Sequence, residues 1–293
     1  VAKLAFVKSE IVRRLTSFGV EPAEARRESE IIIQHFTNLS PAMQICAGDD
    51  TLDGELLAKI ESILSRRKKR EPLQYCLGNA WFMGMEFLVE KGVFIPRADT
   101  ETLVLAACAL IEQSAALRKN RFTVGEIGLG SGAIAISILK RQPQVQVVGC
   151  DISPLALEVT RLNALRLGVS DRLQLVLGNW LDVLPDKLDA VISNPPYIPL
   201  SQKDTLAPEV AEFEPALALF GQGTQGVSFY EGMALSLKER MVGNESFVAV
   251  EIGCGQGELV PGIFAGQGWR DIKLICDLNR LPRVVTALSP FGV

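Results

Sequence analysis

"FTVGEIGLGSGAIAISILKR", residues 122–141, decides the fold. "FTVGEIG" is a short apolar strand, and "GAIAISILKR" is a helix. Gly128, Gly130 and Gly132 lie at their junction, where the backbone must turn tightly and approach a ligand closely, with helix N-terminal N–H groups behind it. Outward from this unit the same rhythm repeats. "TETLVLAACALIEQSAAL" (100–117) reads as a helix, "VQVVGCD" (145–151) as a strand and "PLALEVTRLNALRLG" (154–168) as a helix. "RLQLVLG" (172–178) and "LDAVIS" (188–193) read as strands, followed by a helix over 228–240. A strand at "SFVAVEIG" (246–253), a short helix near 256–265 and a strand at "DIKLICD" (271–277) complete the series. Short apolar strands alternating with helices mean an α/β domain with a doubly wound, mostly parallel sheet covered on both faces.

Residues 99–293 are assigned to this domain, 71–98 to a linking β-hairpin and 1–70 to a small helical domain. "EPAEARRESEIIIQHF" (21–36) has Pro22 near its first turn and acids early, a good helix start. "SPAMQICAG" (40–48) repeats the device, with Ser40 as cap and Gly48 as stop. "DGELLAKIESILSRRKKR" (53–70) puts Leu56, Leu57, Ile60, Ile63 and Leu64 on one face. Its basic end, Arg66 to Arg70, is read as cations opposing the negative end of a helix dipole rather than as a nucleic-acid grip. "LQYCL", "AWFMGMEFLV" and "GVFIPR" are rich in aromatic and β-branched residues and broken by glycine, hence the hairpin.

Composition narrows the function. The chain of 293 residues is 48% hydrophobic and 22% charged, which leaves no case for disorder. A net charge of −4 argues against a general nucleic-acid coat, and no stable nucleic-acid partner is expected. The six cysteines form no C-x-x-C pair and His35 is the only histidine, so neither a zinc site nor a catalytic histidine is expected. The longest apolar run, "LVLAACALI" (103–111), is far short of the roughly 20 residues that span a bilayer. With scattered thiols and no signal-peptide pattern at the start, a cytoplasmic protein is expected.

A second glycine loop, "EIGCGQGE" (251–258), duplicates the first, "EIGLGSGA" (126–133). The first is followed by a true helix and by Asp151, 19 residues after Gly132, at the tip of the next strand, where a ribose hydroxyl is held. The first is therefore assigned to a cofactor and the second to a tight strand-to-helix turn. Gly128, Gly130 and Ala133 also satisfy a relaxed dinucleotide fingerprint, so NAD stays open on the loop alone. Glu126 tilts the choice to S-adenosylmethionine, because a carboxylate there suits a cationic methionine end better than a pyrophosphate. "SNPPYIP" (193–199) tilts it further. Two prolines fix φ near −65° and remove two donors, so the fourth strand of this domain ends in a stiff, extended corner beside the switch point where such folds bind ligands.

"EIGLGSG" followed by "NPPY" resembles the methyltransferases that modify planar nitrogens. "REPLQYCLG" (70–78), "GVFIPRADTETLV" (92–104), "DISPLALEV" (151–159), "SNPPYIP", "EVAEFEPALALF" (209–220), "GVSFY" (226–230) and "EIGCGQGE" together are similar, in order, to the release-factor glutamine N5-methyltransferases. The likeness runs from about residue 20 onward. Glu126 stands where the family has Asp, Leu129 where it has Thr, and Asn179 where it has Asp; "PRADTE" replaces a commoner Pro-Glu version. The resemblance implies methyl transfer from S-adenosylmethionine, leaving S-adenosylhomocysteine, to the glutamine of a Gly-Gly-Gln motif in class 1 peptide chain release factors. It implies a cofactor pocket of Gly128, Leu129, Gly130, Ser131, Gly132, Asp151, Trp180 and Asn194. Asn194, Pro195, Pro196 and Tyr197 would contact the substrate, with Asn194, Pro195 and Tyr197 as the catalytic group. Two plain readings stand beside it: Trp180 as a core aromatic, Asp151 as a helix N-terminal acid. Alternative substrates are a ribosomal-protein glutamine and, less favoured, a nucleic-acid adenine; a non-catalytic nucleotide-binding module would have no need of "NPPY".

Overall fold

The computed structural model describes residues 1–114 and 122–290; the end of the expected helix 100–117 lies outside them. Contacts divide the chain into two units, Val1–Asn79 with Ala207–Phe213, and Ala80–Leu206 with Glu214–Val293.

In the first unit, α1 (Leu4–Ser17), α2 (Pro22–Thr37) and α4 (Gly54–Arg67) pack around a core of their own, with α3 (Pro41–Cys46) lying against α1 and α2. A ribbon of β1 (Ala2–Lys3) and β2 (Thr51–Leu52) ties the start of α1 to the start of α4. Leu4, Val7, Ile11 and Leu15 are the buried stripe of α1, at the three- and four-residue spacing of one helix face. Side chains cap the starts of the next three helices. Glu21 accepts from the Ala23 and Glu24 N–H groups, Ser40 from Met43 and Asp53 from Leu56.

The basic end of α4 is tied into the unit by more than a dipole effect. Arg67 is 1% exposed. Its guanidinium donates to Glu28 at 2.8 and 2.7 Å, to the Glu71 carbonyl at 2.6 Å and to Glu209 at 3.2 Å. Glu209 belongs to helix α10 (Pro208–Phe213) and is shared with Arg70 at 2.7 Å. Arg66 pairs with Glu71.

Two readings of the linker need correction. "LQYCL" is helical, forming α5 (Leu73–Leu77) rather than a strand. Pro72 precedes it and Gly78, at φ +77°, ends it, while Leu73 and Cys76 turn to the helical core. "GVFIPR" is not a strand either: the Ile95 N–H meets the carboxylate of Glu214, which also pairs with Arg97, instead of a ladder partner. The hairpin proper is β3 (Asn79–Phe82) and β4 (Met85–Leu88), joined by Met83 and Gly84, both at positive φ.

The second unit is built on a seven-stranded sheet. Its strands are β5 (Phe122–Ile127), β6 (Val145–Asp151), β7 (Leu173–Leu177), β8 (Ala190–Ser193), β11 (Phe247–Glu251), β12 (Arg270–Cys276) and β13 (Pro282–Leu288). Their order is β12-β13-β11-β8-β5-β6-β7. The five from β11 to β7 run parallel, and β13 is antiparallel to both its neighbours. The sequence reading stopped at "DIKLICD" and missed β13, whose five central residues are all buried.

Alternate residues of the inner strands enter opposite cores. Phe122, Ile192 and Ala249 join α6 (Glu101–Gln113) and α7 (Ala133–Arg141) on one face. Val191, Val248 and Val250 join α12 (Ser228–Ser236) and α13 (Leu259–Gly266) on the other. The chain leaves β5 by α7 toward β6 on one side, while β8 lies on the other, so the order reverses at β5. Ligands bind in such sheets outside the carboxyl ends of the strands at this reversal.

Candidate active site

Four neighbouring strand ends, those of β11, β8, β5 and β6, lie beside the reversal, and each carries one of the motifs. The end of β5 carries the first glycine loop. Gly128, Gly130 and Gly132 hold φ of +77°, +55° and +79°, values that favour glycine. A Cβ on Gly132 would sit 2.7 Å from Thr160 Cγ2, so that glycine lets α8 (Pro154–Arg166) come close. Gly128 meets nothing within 4 Å and leaves its side of the loop open. Asp151, at the tip of β6, accepts from the Gly130 N–H at 2.9 Å through one oxygen and from the Ser153 N–H at 2.9 Å through the other. The α8 cap itself is Ser153. Asp151 therefore pins the loop to the next strand and keeps lone pairs on both oxygens for further donors.

Leu129 and Trp180 are placed in the core. A Cβ on Gly149 would fall 2.4 Å from Leu129 Cδ2, so the leucine lies flat over a glycine of β6. That is a packing role in which a hydroxyl is dispensable. Trp180, in α9 (Trp180–Val183), is buried against Phe229, with ring centroids 5.8 Å apart. The Ser131 carbonyl accepts from Asn163.

Glu126 is 1% exposed, and neither carboxylate oxygen has a hydrogen-bond partner of good geometry. Burial pushes its pKa well above the ordinary carboxylate value; the Ala135 N–H opposes this only in part, and Asp151 adds to it. A raised folded-state pKa contributes stability that is present below the unfolded pKa and lost as pH rises through the folded one. Glu126→Gln should thus raise Tm of the free protein by a few degrees at pH 8, with the gain shrinking toward pH 5. Parallel melts of both proteins across that range check it.

The end of β8 carries the proline corner. Ser193 Oγ donates to the Ile127 carbonyl at 2.9 Å, locking β8 to β5 just before Asn194. Asn194 is half-buried, and its Nδ2 donates to Thr100 Oγ1 at 3.2 Å. Beyond the prolines, β9 (Ile198–Pro199) pairs with β10 (Phe220–Gly221), which follows α11 (Ala216–Leu219). A Cβ on Gly226 would lie 2.3 Å from the Tyr197 carbonyl oxygen, so the "GVSFY" glycine is what lets this segment close on the corner.

The second glycine loop, at the end of β11, does more than turn the chain. Gln256 Nε2 donates to the carbonyls of Tyr197 at 3.1 Å and Gln225 at 2.9 Å, and its Oε1 accepts from Gly253. Glu251 accepts from the Tyr197 hydroxyl at 3.2 Å. Gly253 is the loop's close approach, since a Cβ there would lie 3.3 Å from Tyr197 Cδ2, whereas one on Gly255 would meet nothing. Sequence reading missed this brace around Tyr197, as well as Thr100, because both depend on β11 and α6 lying beside β8. The repeated "EIG" offered a signal, since equal strand ends on either side of β8 would face the same corner.

Residues 9–78 match the family described as the PrmC N-terminal domain, and residues 84–212 match the methyltransferase small domain. Over 272 residues the chain is 39% identical to the release factor glutamine methyltransferase of Geobacter sulfurreducens, covering 92% of this chain and 91% of that one. The namesake from Cereibacter sphaeroides is 33% identical over 279 residues, covering 95% and 96%. The chain belongs to the release factor glutamine methyltransferase family. A solved methyltransferase structure from Pyrococcus furiosus has a TM-score of 0.51 at 14% identity, over 82% of this chain and all of that one, and shows the methyltransferase fold. In this methyltransferase four of the motifs that carry the likeness, "EIGLGSG", "DISPLALEV", "SNPPYIP" and "EIGCGQGE", lie at the β5, β6, β8 and β11 ends. Among the described residues of the methyltransferase no helix is long and apolar enough to cross a membrane.

Proposed function

We propose that the enzyme transfers the methyl group of S-adenosylmethionine to the side-chain amide nitrogen of the glutamine in the Gly-Gly-Gln motif of class 1 peptide chain release factors. S-adenosylhomocysteine is the second product. The observation that carries the reading is the orientation of Asn194. One N–H of its Nδ2 goes to Thr100, with Oδ1 as the acceptor of the same amide at the end of β8, beside the first glycine loop.

The residues present fit the methyl donor. Gly128 leaves open space at the loop, Asp151 has lone pairs for ribose hydroxyls, and Glu126 is a buried acid without a partner, suited to a cationic amine. Gly128 to Gly132, Asp151 and Asn194 would hold it, with Trp180 behind them in the core. The bound cofactor supplies an electrophilic methyl group. Everything else falls to the chain. A primary amide nitrogen is a poor nucleophile, because its lone pair is delocalised into the carbonyl. Asn194 Oδ1 and the Pro195 carbonyl accept from the substrate NH₂, fix its orientation and stabilise positive charge as it grows on nitrogen. Pro196 stiffens the corner, and the Tyr197 ring lies flat against the amide. No general base is required before transfer.

The helical unit is assigned to recognition of the protein substrate. Because Arg66, Arg67 and Arg70 are tied into ion pairs within that unit, the basic run offers little grip to a nucleic acid, which disfavours an adenine substrate. Release factors act in translation, which places the reaction in the cytoplasm.

Asp151→Ala should weaken S-adenosylmethionine binding in calorimetry by roughly 1–3 kcal/mol, the range for lost hydrogen bonds to a charged group, with no binding of NAD by either form. The substrate class is tested by offering a class 1 release factor, a ribosomal protein and adenine-containing DNA at equal concentration. Preferential methylation of the release factor is expected. Preference for the ribosomal protein would keep the chemistry and change the substrate; preference for DNA would overturn the reading.

A further inference from the structure

Two prolines in succession leave part of the corner's geometry open. The rings of Pro195 and Pro196 fix φ, but they leave ψ free and bring no N–H. Hydrogen bonds donated by these two residues therefore cannot set the direction of the Pro195 carbonyl. That direction is fixed when both ends of the corner are anchored. The upstream anchor is Ser193, whose Oγ donates to the Ile127 carbonyl at 2.9 Å. Downstream, β9 is a two-residue strand paired with the two residues of β10, a ladder too short to hold its end alone.

Gln256 anchors that end. It belongs to the second glycine loop, whose sequence reads as a plain strand-to-helix turn, and it is 6% exposed. Its Nε2 donates to the Tyr197 carbonyl at 3.1 Å, immediately before β9, and to the Gln225 carbonyl at 2.9 Å, beyond β10. Its Oε1 accepts from the Gly253 N–H at 3.0 Å. The amide can sit only one way round, because two carbonyls require donors and an N–H requires an acceptor. The Gln256 backbone N–H closes the turn beneath it on the Gly253 carbonyl at 2.9 Å. From the other side, glycines let backbone press on the same corner. A Cβ on Gly226 would lie 2.3 Å from the Tyr197 carbonyl oxygen, and one on Gly221 would lie 2.8 Å from that of Pro196.

We propose that Gln256 is a positioning residue for methyl transfer. It anchors the downstream end of the proline corner through the Tyr197 carbonyl, and so holds the Pro195 carbonyl and the Tyr197 ring where the substrate amide meets them. This rests on the clamp assigned above to Asn194, Pro195 and Tyr197. The second glycine loop is then a support of the acceptor corner. Its loss should fall on turnover rather than on cofactor affinity, which the first loop and Asp151 carry.

The test measures kcat, KM for the release factor and S-adenosylmethionine affinity by calorimetry for Gln256→Glu, Gln256→Met, Gly255→Ala and Asn194→Ala. Melts confirm that each variant is folded at the assay temperature. Gln256→Glu keeps the acceptor for Gly253, and with it the turn, but sets an oxygen against two carbonyls. Gln256→Met keeps the length and loses every polar contact of the side chain. Both should lower kcat by about tenfold to 10²-fold, the scale of misplacing a reacting group by about 1 Å, with cofactor affinity kept. Gly255→Ala adds a methyl group to the same loop where nothing lies within 4 Å, and should turn over as the wild type does. Wild-type kcat in Gln256→Glu, or an equal loss of kcat in Gly255→Ala, would overturn this inference and, with Asn194→Ala impaired, leave the clamp standing. A loss of kcat in the Gln256 variants matched by an equal loss of cofactor affinity would also overturn it. Normal turnover in Asn194→Ala would remove the clamp itself, and this inference with it.

Discussion

Asn194→Ala is expected to lower kcat by roughly 10²–10³, the effect of removing one preorganised acceptor from a transition state. Binding of S-adenosylmethionine should weaken far less, because the glycine loop and Asp151 remain. The size of the effect follows from rigidity. Ser193 locks the strand end to Ile127, two prolines stiffen the next two residues, and Gln256 and Gly226 close on Tyr197 from the other side. An acceptor held this way costs no reorganisation when charge develops on the nitrogen. Single-turnover rates at saturating cofactor and release factor measure it, and a loss confined to KM would show that Asn194 only binds.

The largest expected stability effect lies in the other unit. Arg67→Ala should destabilise the helical unit by about 3–5 kcal/mol, the penalty for leaving a buried partner uncompensated. Glu28, 6% exposed, loses two charge-assisted hydrogen bonds, and Glu209 and the Glu71 carbonyl lose one each. In the intact protein burial already pushes the Glu28 pKa up, with Arg67 pulling against it. Without the arginine, the folded-state pKa rises further above the unfolded value. The carboxylate then contributes stability below the unfolded pKa that is lost as pH rises, so the deficit should be larger at pH 8 than at pH 5. Denaturant melts of both proteins at the two pH values check the magnitude and the sign.

Local pattern carried the fold wherever an element is defined by its own residues. The glycine loop between "FTVGEI" and "AIAISILKR", the capped helices at Ser40 and Asp53, and the parallel strands β5 to β8 all follow from short stretches. The failures share a cause. "LQYCL" has the composition of a strand, yet Pro72 and Gly78 bracket it as a helical turn that buries Leu73 and Cys76. β13 is inserted antiparallel between β12 and β11, a pairing no local period reveals. In the candidate site, the placement of Asn194, Asp151 and the glycines at neighbouring strand ends was legible because each follows from its own short stretch of sequence. Thr100, Glu251 and Gln256 were not, because their value comes from facing Tyr197 and Asn194 across the sheet. The arginines at 66, 67 and 70 were read as a dipole effect, since Glu28 and Glu209 lie far away in sequence.

The central claim is a claim about one atom. Incubating the enzyme with methyl-labelled S-adenosylmethionine and a purified class 1 release factor, then fragmenting the product in a mass spectrometer, identifies where the label goes. The label is expected on the side-chain amide nitrogen of the Gly-Gly-Gln glutamine, and it should be absent when that glutamine is replaced. Label on another residue of the release factor, or full labelling of the replaced protein, would contradict the account.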